Sequence, residues 1–380
     1  MRARYALVAA ASVTGSCLWS TAFAQSSVTL YGILDTGVEL VTHANTNGNR
    51  VVRMPSITGQ IPSRWGFRGK EDLGGGISAI FALENGFNVS SGTLNQGGRL
   101  FGRQAWVGVQ GPFGTFTFGR QYTMTFWAIQ DADVLGPDVY NGVGSFDLAI
   151  PNARSDNTIA WKGTFAGVTA GATYSFGRDA GGNSPGQGSC VGSVAGSYMD
   201  CKEWSVMLRY DVPNFGVAAA YDEQRGGNQA AANFFNGVAP FPLTQSGDKD
   251  IRMQLNGYAI AGQLKIGAGW LGRRVETVST TVPDVHSDQF YLTAAYLFTP
   301  AVNVDGGVFR ILNATQNARG TIVTLRTTYF MSKRTAMYFQ GGYLFNSPHA
   351  RYTVSQGGGG TTPGAGMGQL GLMAGIRQMF

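Results

Sequence analysis

Charged side chains are scarce in this chain, 13% of 380 residues, so their recurrence on one face of a segment carries information. Arg64, Arg68 and Lys70 alternate with Trp65 and Phe67, and Arg154 and Lys162 alternate with Ile159 and Trp161. At a two-residue period, each set projects from a single face of an extended strand. Between Gln121 and Ala153 lie Asp131, Asp133, Asp138 and Asp147, with no basic residue until Arg154. Guanidinium groups stay charged at any relevant pH. Fixed cations and carboxylates around a narrow wet passage would orient dipolar solutes and bias which ions enter. Taken alone, however, the acidic stretch reads equally well as an ordinary solvated loop.

Covalent chemistry finds little support. His43, His286 and His349 are isolated, with no nucleophile motif beside them, so the base that a nucleophilic enzyme needs is missing. Gly74-Gly75-Gly76 and Gly357 to Gly360 read as turn and loop chemistry, because no helix follows to complete a phosphate cradle. Cys190 and Cys201 have no neighbouring His, so neither a metal nor a cofactor is expected. An even pair in an exported chain suggests a disulfide, with two free thiols as the alternative. Closing so short a loop would contribute about 2–3 kcal/mol.

The elements that must position these groups follow from composition and pattern. With 56 Gly, 43% hydrophobic and 12% aromatic residues, the chain is too charge-poor and aromatic for disorder. Beyond the N-terminus no window approaches the ~20 apolar residues of a spanning helix. Arg2 and Arg4, the apolar run from Tyr5 to Val13, and Ala22-Phe23-Ala24 read as a secretory signal peptide over residues 1–24. Its removal lowers the formal charge from +6 to +4 and leaves residues 25–380 as one exported domain.

After Gln25, period-two alternation is continuous. Val28, Leu30, Leu34, Val38 and Leu40 oppose Thr29, Asp35 and Glu39; Leu370, Leu372, Ala374, Ile376 and Phe380 form the last such face. About sixteen segments result. A soluble β-sandwich would alternate as well, so the connections decide. Short links such as Gly111–Gly114, Ala166–Gly167 and Pro213–Asn214 alternate with long ones at 44–62, 121–153, 178–202, 225–249 and 346–366. Tight turns at one end and long loops at the other mark a transmembrane β-barrel. A bilayer permits it because closure leaves no unpaired backbone edge. Tyr31, Trp106, Tyr174, Trp204, Tyr210, Tyr296, Tyr329 and Tyr343 lie near strand ends, where two interfacial girdles are expected.

Several strings occur in a telling order: Ser26-Ser27-Val28-Thr29-Leu30-Tyr31-Gly32 with Asp35 and Gly37; Ser63-Arg64-Trp65-Gly66-Phe67-Arg68-Gly69-Lys70-Glu71-Asp72-Leu73-Gly74; Leu100-Phe101-Gly102-Arg103-Gln104-Ala105; Phe118-Gly119-Arg120-Gln121-Tyr122; and the terminal Phe380. Together they resemble the Gram-negative general porins, most closely the betaproteobacterial branch. The resemblance implies an all-β fold, a 16-stranded antiparallel transmembrane β-barrel with short periplasmic turns, long extracellular loops and a third loop folded into the pore. It implies a homotrimer in the outer membrane, in contact with its lipids and lipopolysaccharide. The barrel-assembly machinery would read Phe380, and small hydrophilic solutes and ions would pass unchanged. Nucleic acid is not an expected partner.

The resemblance also implies that residues 121–153 form a constriction loop presenting Asp131, Asp133 and Asp138 to a basic wall of Arg64, Arg103 and Arg154. Arg68, Lys70 and Lys162, on the faces of Arg64 and Arg154, would extend that wall. Parity supports Arg64 and Arg154 but is ambiguous for Arg103, which is in step with Ala105, Val107 and Val109. Arg120, in step with Phe116 and Phe118, is expected to point away from the lumen as a loop-anchoring or subunit-contact residue. A mild anion preference is expected. A substrate-specific channel would need stacked aromatics or a lysine ladder, hinted at only by Phe126 and Trp127.

Overall fold

The computed structural model describes residues 27–149, 152–179, 190–192, 194–279 and 284–380. The signal peptide expected over 1–24 lies outside them. Sixteen strands carry the fold: β1 (Ser27–Val41), β2 (Arg64–Gly74), β3 (Ile77–Gly86), β4 (Gln104–Gly111), β5 (Gly114–Tyr122), β6 (Arg154–Phe165), β7 (Val168–Ser175) and β8 (Glu203–Val212). They continue as β9 (Phe215–Arg225), β10 (Lys249–Ala261), β11 (Leu264–Glu276), β12 (Val285–Thr299), β13 (Val302–Asn313), β14 (Ala318–Phe330), β15 (Thr335–Asn346) and β16 (Gln369–Met379). Each pairs antiparallel with its sequence neighbour. β16 returns to β1 from Ile33↔Met379 to Val41↔Gly371, closing the barrel. A short strand, Val51–Arg53, lies against the upper half of β1. Closure, rather than alternation, is what excludes a sandwich.

The apolar face of each strand looks outward. Val28, Leu30, Leu34 and Val38 are exposed, whereas Asp35 and Glu39 are buried inside. An inside-out pattern of this kind needs lipid as its solvent. Tyr174, Tyr210, Tyr296, Tyr329 and Tyr343 are exposed on that outer face, as girdle residues should be. Tyr31 and Trp106 are not. Strand parity turns both inward, where Tyr31 donates to Glu84 Oε2 at 3.0 Å and Trp106 Nε1 to Gln104 Oε1 at 3.0 Å.

The buried core sits within the barrel. Loop 3 (123–153), with short helices α1 (Met124–Ile129) and α2 (Gly142–Ser145), crosses the interior. Loop 8 (347–368) folds in above it. Tyr140 and Phe146 of loop 3 and Tyr352 and Val354 of loop 8 pack on Phe309, Ile322 and Leu344 of the wall. The Phe146 and Tyr352 rings meet edge to face at 5.0 Å. A second cluster joins loop 4 (176–202) and loop 5 (226–248) to Val275 and Val285, and includes Cys190 and Cys201, which are joined by a disulfide.

Candidate constriction site

Arg64 and Arg154 open β2 and β6 at the long-loop end. Arg64 sits opposite Ile33, and Arg154 opposite Tyr122. Arg103 lies one residue before β4, so strand parity does not govern it, and its guanidinium turns inward. Its Nε donates to Glu84 Oε1 at 2.7 Å and its Nη2 to the Tyr122 hydroxyl at 2.8 Å. Arg154 Nη2 donates to the same hydroxyl at 3.0 Å, with its Cζ 4.5 Å from the Tyr122 ring centroid. Arg64 Nε stands 3.6 Å from Glu84 Oε2. Three guanidiniums therefore gather around one carboxylate and one phenol. Among the described residues Arg154 pairs with no carboxylate. Sequence reasoning overlooked Glu84, because an acid on β3 carries no local motif.

Loop 3 leans on the opposite wall. Met124 N donates to Ser205 Oγ at 2.9 Å, and Thr293 Oγ1 and Thr324 Oγ1 donate to the carbonyls of Ala132 and Tyr140 at 3.2 and 3.1 Å. The approach is so close at β11 that a Cβ on Gly267 would lie 1.7 Å from the Ala132 oxygen; only glycine leaves that room. Three loop carboxylates reach arginines behind the loop. Asp131 lies 2.5 Å from Arg209, Asp138 2.9 Å from Arg326, and Asp147 3.4 Å from Arg273. These arginines were visible only as polar-face residues, since nothing in the sequence joins β14 to a loop 188 positions away.

Thus Asp131 and Asp138 close ion pairs with the wall rather than standing free across water from Arg64, Arg103 and Arg154. Asp133 instead accepts from Asn141 Nδ2 at 2.5 Å and Leu135 N at 3.2 Å. Burial pushes the Asp133 carboxyl up to about 6 and that of Asp138 up to about 7, the latter despite the Arg326 guanidinium beside it. Burial likewise raises Asp147, against the pull of Arg273.

Between loop 3 and the arginine cluster lies a cavity of about 330 Å³, bounded also by loop 1 (42–63) and loop 2 (87–103). Its charged lining is Arg103 and Arg154 against Asp133 alone. Such a space can hold or pass a small anion; its lining holds no Ser, Cys, Lys or His. Among the described residues no group of His, Cys, Asp and Glu is arranged to hold a metal.

The remaining basic residues run down the same side. Arg68 Cζ stands 5.4 Å from the Tyr31 ring centroid, Lys70 is exposed towards the short turn, and Lys162 Nζ lies 3.6 Å from the Trp127 centroid. Arg120 sits where the β5–β6 register shifts between Gly119 and Gln121. It donates to the Gly102 carbonyl at 2.7 Å and pairs with Asp156 at 2.5 Å, tying loop 2 to β6. At the barrel seam, Phe380 and Gly32 exchange two backbone hydrogen bonds of 3.1 Å.

A closed sixteen-strand antiparallel barrel, apolar outside and charged within, with a loop laid across its lumen, defines a channel protein of the bacterial outer membrane. The chain belongs to the Gram-negative porin family, whose pattern matches residues 6–349. An outer membrane porin protein of Bordetella pertussis is 30% identical over 377 residues, covering 90% of this chain and 94% of its own. Outer membrane porin protein 32 of Delftia acidovorans is 29% identical, with 94% and 95% covered. Among solved structures, an anion-selective porin from Comamonas acidovorans superposes with a TM-score of 0.74 at 24% identity, covering 94% of this chain and all of that one. The protein is therefore a general diffusion channel of the outer membrane for small hydrophilic solutes, and not an enzyme.

Proposed function

We propose that the passage between loop 3 and strands β2–β6 is the constriction and that it gives the channel a mild preference for anions. Arg64, Arg103 and Arg154 form its basic wall, which Arg68, Lys70 and Lys162 extend. Residues 121–153 act as the constriction loop, with Asp133 as the acid that faces the cavity, while Asp131 and Asp138 hold the loop to Arg209 and Arg326 behind it. One observation carries the reading: two guanidiniums and a single buried carboxylate line the cavity. Within so narrow a space, a Debye length of ~8 Å leaves the field in force. That the Comamonas acidovorans porin of the same fold is anion-selective is in keeping with it.

The same reading takes residues 1–24 as a cleaved leader and 25–380 as the barrel domain. The barrel assembles as a homotrimer among lipids and lipopolysaccharide, with Phe380 presented to the barrel-assembly machinery. The test is the reversal potential of refolded protein in a planar bilayer under a tenfold KCl gradient. An anion-selective sign that shrinks in Arg64→Ala and Arg154→Ala supports the proposal. A cation-selective sign means that the loop acids dominate, and overturns it.

A further inference from the structure

We propose that this constriction holds, in preference to other small anions, those with a flat apolar body, of which aromatic monocarboxylates are the type. The proposal rests on the anion-preferring reading above and specifies what that site recognises. A passage tuned only for hydrated inorganic ions has no use for apolar walls, since such an ion gains nothing there and risks losing water. Charged, amide and threonine side chains make up half of its lining, yet Ile57, Pro62, Phe126, Ile129, Pro137 and Val143 give it apolar walls between them. Sites for organic ligands have this character, with apolar walls and a few placed polar groups that fix orientation. At about 330 Å³ the space is at the small end of such pockets, suited to one ring.

The aromatic groups are organised as well. The Tyr122 and Phe126 rings stack at 3.7 Å with 12° between planes, and Phe126 meets Trp127 edge to face at 5.5 Å. Arg154 lies over the Tyr122 ring and Lys162 over Trp127. Arg154–Tyr122–Phe126–Trp127–Lys162 thus runs from cation through three rings to cation; of the rings Phe126 lines the cavity, held in place by the buried Tyr122 stacked on it, with Arg154 within the same lining. Arg154 is the anchoring group. It spends Nη2 on the Tyr122 hydroxyl, its Nε has no hydrogen-bond partner, and it makes no ion pair among the described residues. The guanidinium fork suits a carboxylate, and Phe126 beside it supplies the surface for the ring that the carboxylate carries.

Current block measures the recognition. Refolded full-length porin in a planar bilayer in 0.1 M KCl is titrated with sodium benzoate, sodium acetate or benzyl alcohol. The expected result is half-block by benzoate at a concentration roughly tenfold below that of acetate, from burial of one ring, with benzyl alcohol ineffective for want of charge. Phe126→Ala, which removes the apolar wall, should bring the benzoate-to-acetate ratio to within about twofold, whereas Phe126→Leu, which keeps apolar volume, should retain most of it. Heat-modifiable mobility on gels verifies that each variant is folded. A wild-type ratio within twofold, from protein with an anion-selective reversal potential, overturns this proposal and leaves the anion reading standing. A cation-selective reversal potential overturns the reading beneath it. Equal block by benzyl alcohol and benzoate would make the site apolar only, which also overturns the proposal.

Discussion

Arg326 is the sharpest place to ask what keeps loop 3 inside the barrel. Its Nη1 donates to Asp138 Oδ2 at 2.9 Å and to the Leu135 carbonyl at 3.3 Å, while Nε and Nη2 hold Asp305 at 2.8 and 3.0 Å. Arg326→Met leaves two buried carboxylates facing one another with no cation between them. Removing one partner of a buried pair costs about 3–5 kcal/mol. The lower end applies near neutrality, because Asp138, with a pKa already pushed up to about 7 by burial, escapes part of the penalty by taking a proton. At 1.36 kcal/mol per tenfold, ~3 kcal/mol shifts the docked-to-undocked ratio of the loop by roughly 150-fold. Single-channel recording should show excursions to higher conductance as the loop leaves the lumen. They should grow more frequent as pH rises from 5.5, where Asp138 is neutral, into the alkaline range, since loss of the Arg326 cation that pulls its carboxyl down moves ionisation to higher pH. Arg326→Met combined with Asp138→Asn and Asp305→Asn should restore quiet channels, since no charge is left unpaired. Wild-type conductance and noise at pH 8 in folded Arg326→Met protein would refute the argument that this ion pair holds the loop.

Four further outcomes are expected. As pH falls from 7.5 to 5, Asp133, with its carboxyl pushed up to about 6, gains a proton and the cavity loses its one negative charge; the reversal potential should move in the anion-selective direction, and Asp133→Asn should flatten that dependence. Glu84→Gln leaves Arg64 and Arg103 without their shared carboxylate; one unit charge at ~7 Å in water, halved by salt, raises the anion-to-cation permeability ratio roughly 2–3-fold, readable in the same gradient. Gly32→Val should lower the thermal unfolding temperature of the folded barrel, because a Cβ there falls 2.3 Å from Phe380 Cζ and overpacking costs about 1–3 kcal/mol. Replacing Cys190 and Cys201 by Ser should expose loop 4 to proteases, consistent with about 3 kcal/mol of lost loop closure, while conductance stays unchanged.

How much of this was legible depended on how regular the backbone is at each residue. Strand number followed from alternation, because a lipid-facing barrel must show it on every strand, whereas some strand ends lie up to four residues from where alternation puts them, as at β4, which begins at Gln104. Arg64 and Arg154 could be aimed because each opens a regular strand. Arg103 could not, since it precedes β4, and parity would have sent it out with the exposed Val107 and Val109. At Arg120 the register shift against β6 interrupts the alternation, and its partners, the Gly102 carbonyl and Asp156, come from loop 2 and β6. The destination of loop 3 was the least legible part: its acids find Arg209, Arg273 and Arg326 through the closed topology, and no local signal encodes a partner across a lumen. Glu84 and Tyr122, which organise the arginines, are likewise visible only once β3 and β5 stand on the same wall.

Loop 8 is fastened to loop 3 from above. Gln356 N donates to the Val139 carbonyl at 2.9 Å, Ser145 Oγ donates to the Val354 carbonyl at 3.2 Å, and Tyr352 is fully buried against Phe146. The part of the chain that phages and antibodies would meet is thus continuous with the part that sets permeability. Sequence drift at Tyr352, Val354 or Gln356 cannot be neutral for the pore, however strongly the cell surface is selected to change. Freedom returns a few residues on, where a Cβ on Gly359 meets nothing within 4 Å. The Gly359 carbonyl is still held by Arg53, the partner of the buried Glu39, so an engineered epitope belongs after Gly360, where a Cβ likewise meets nothing within 4 Å.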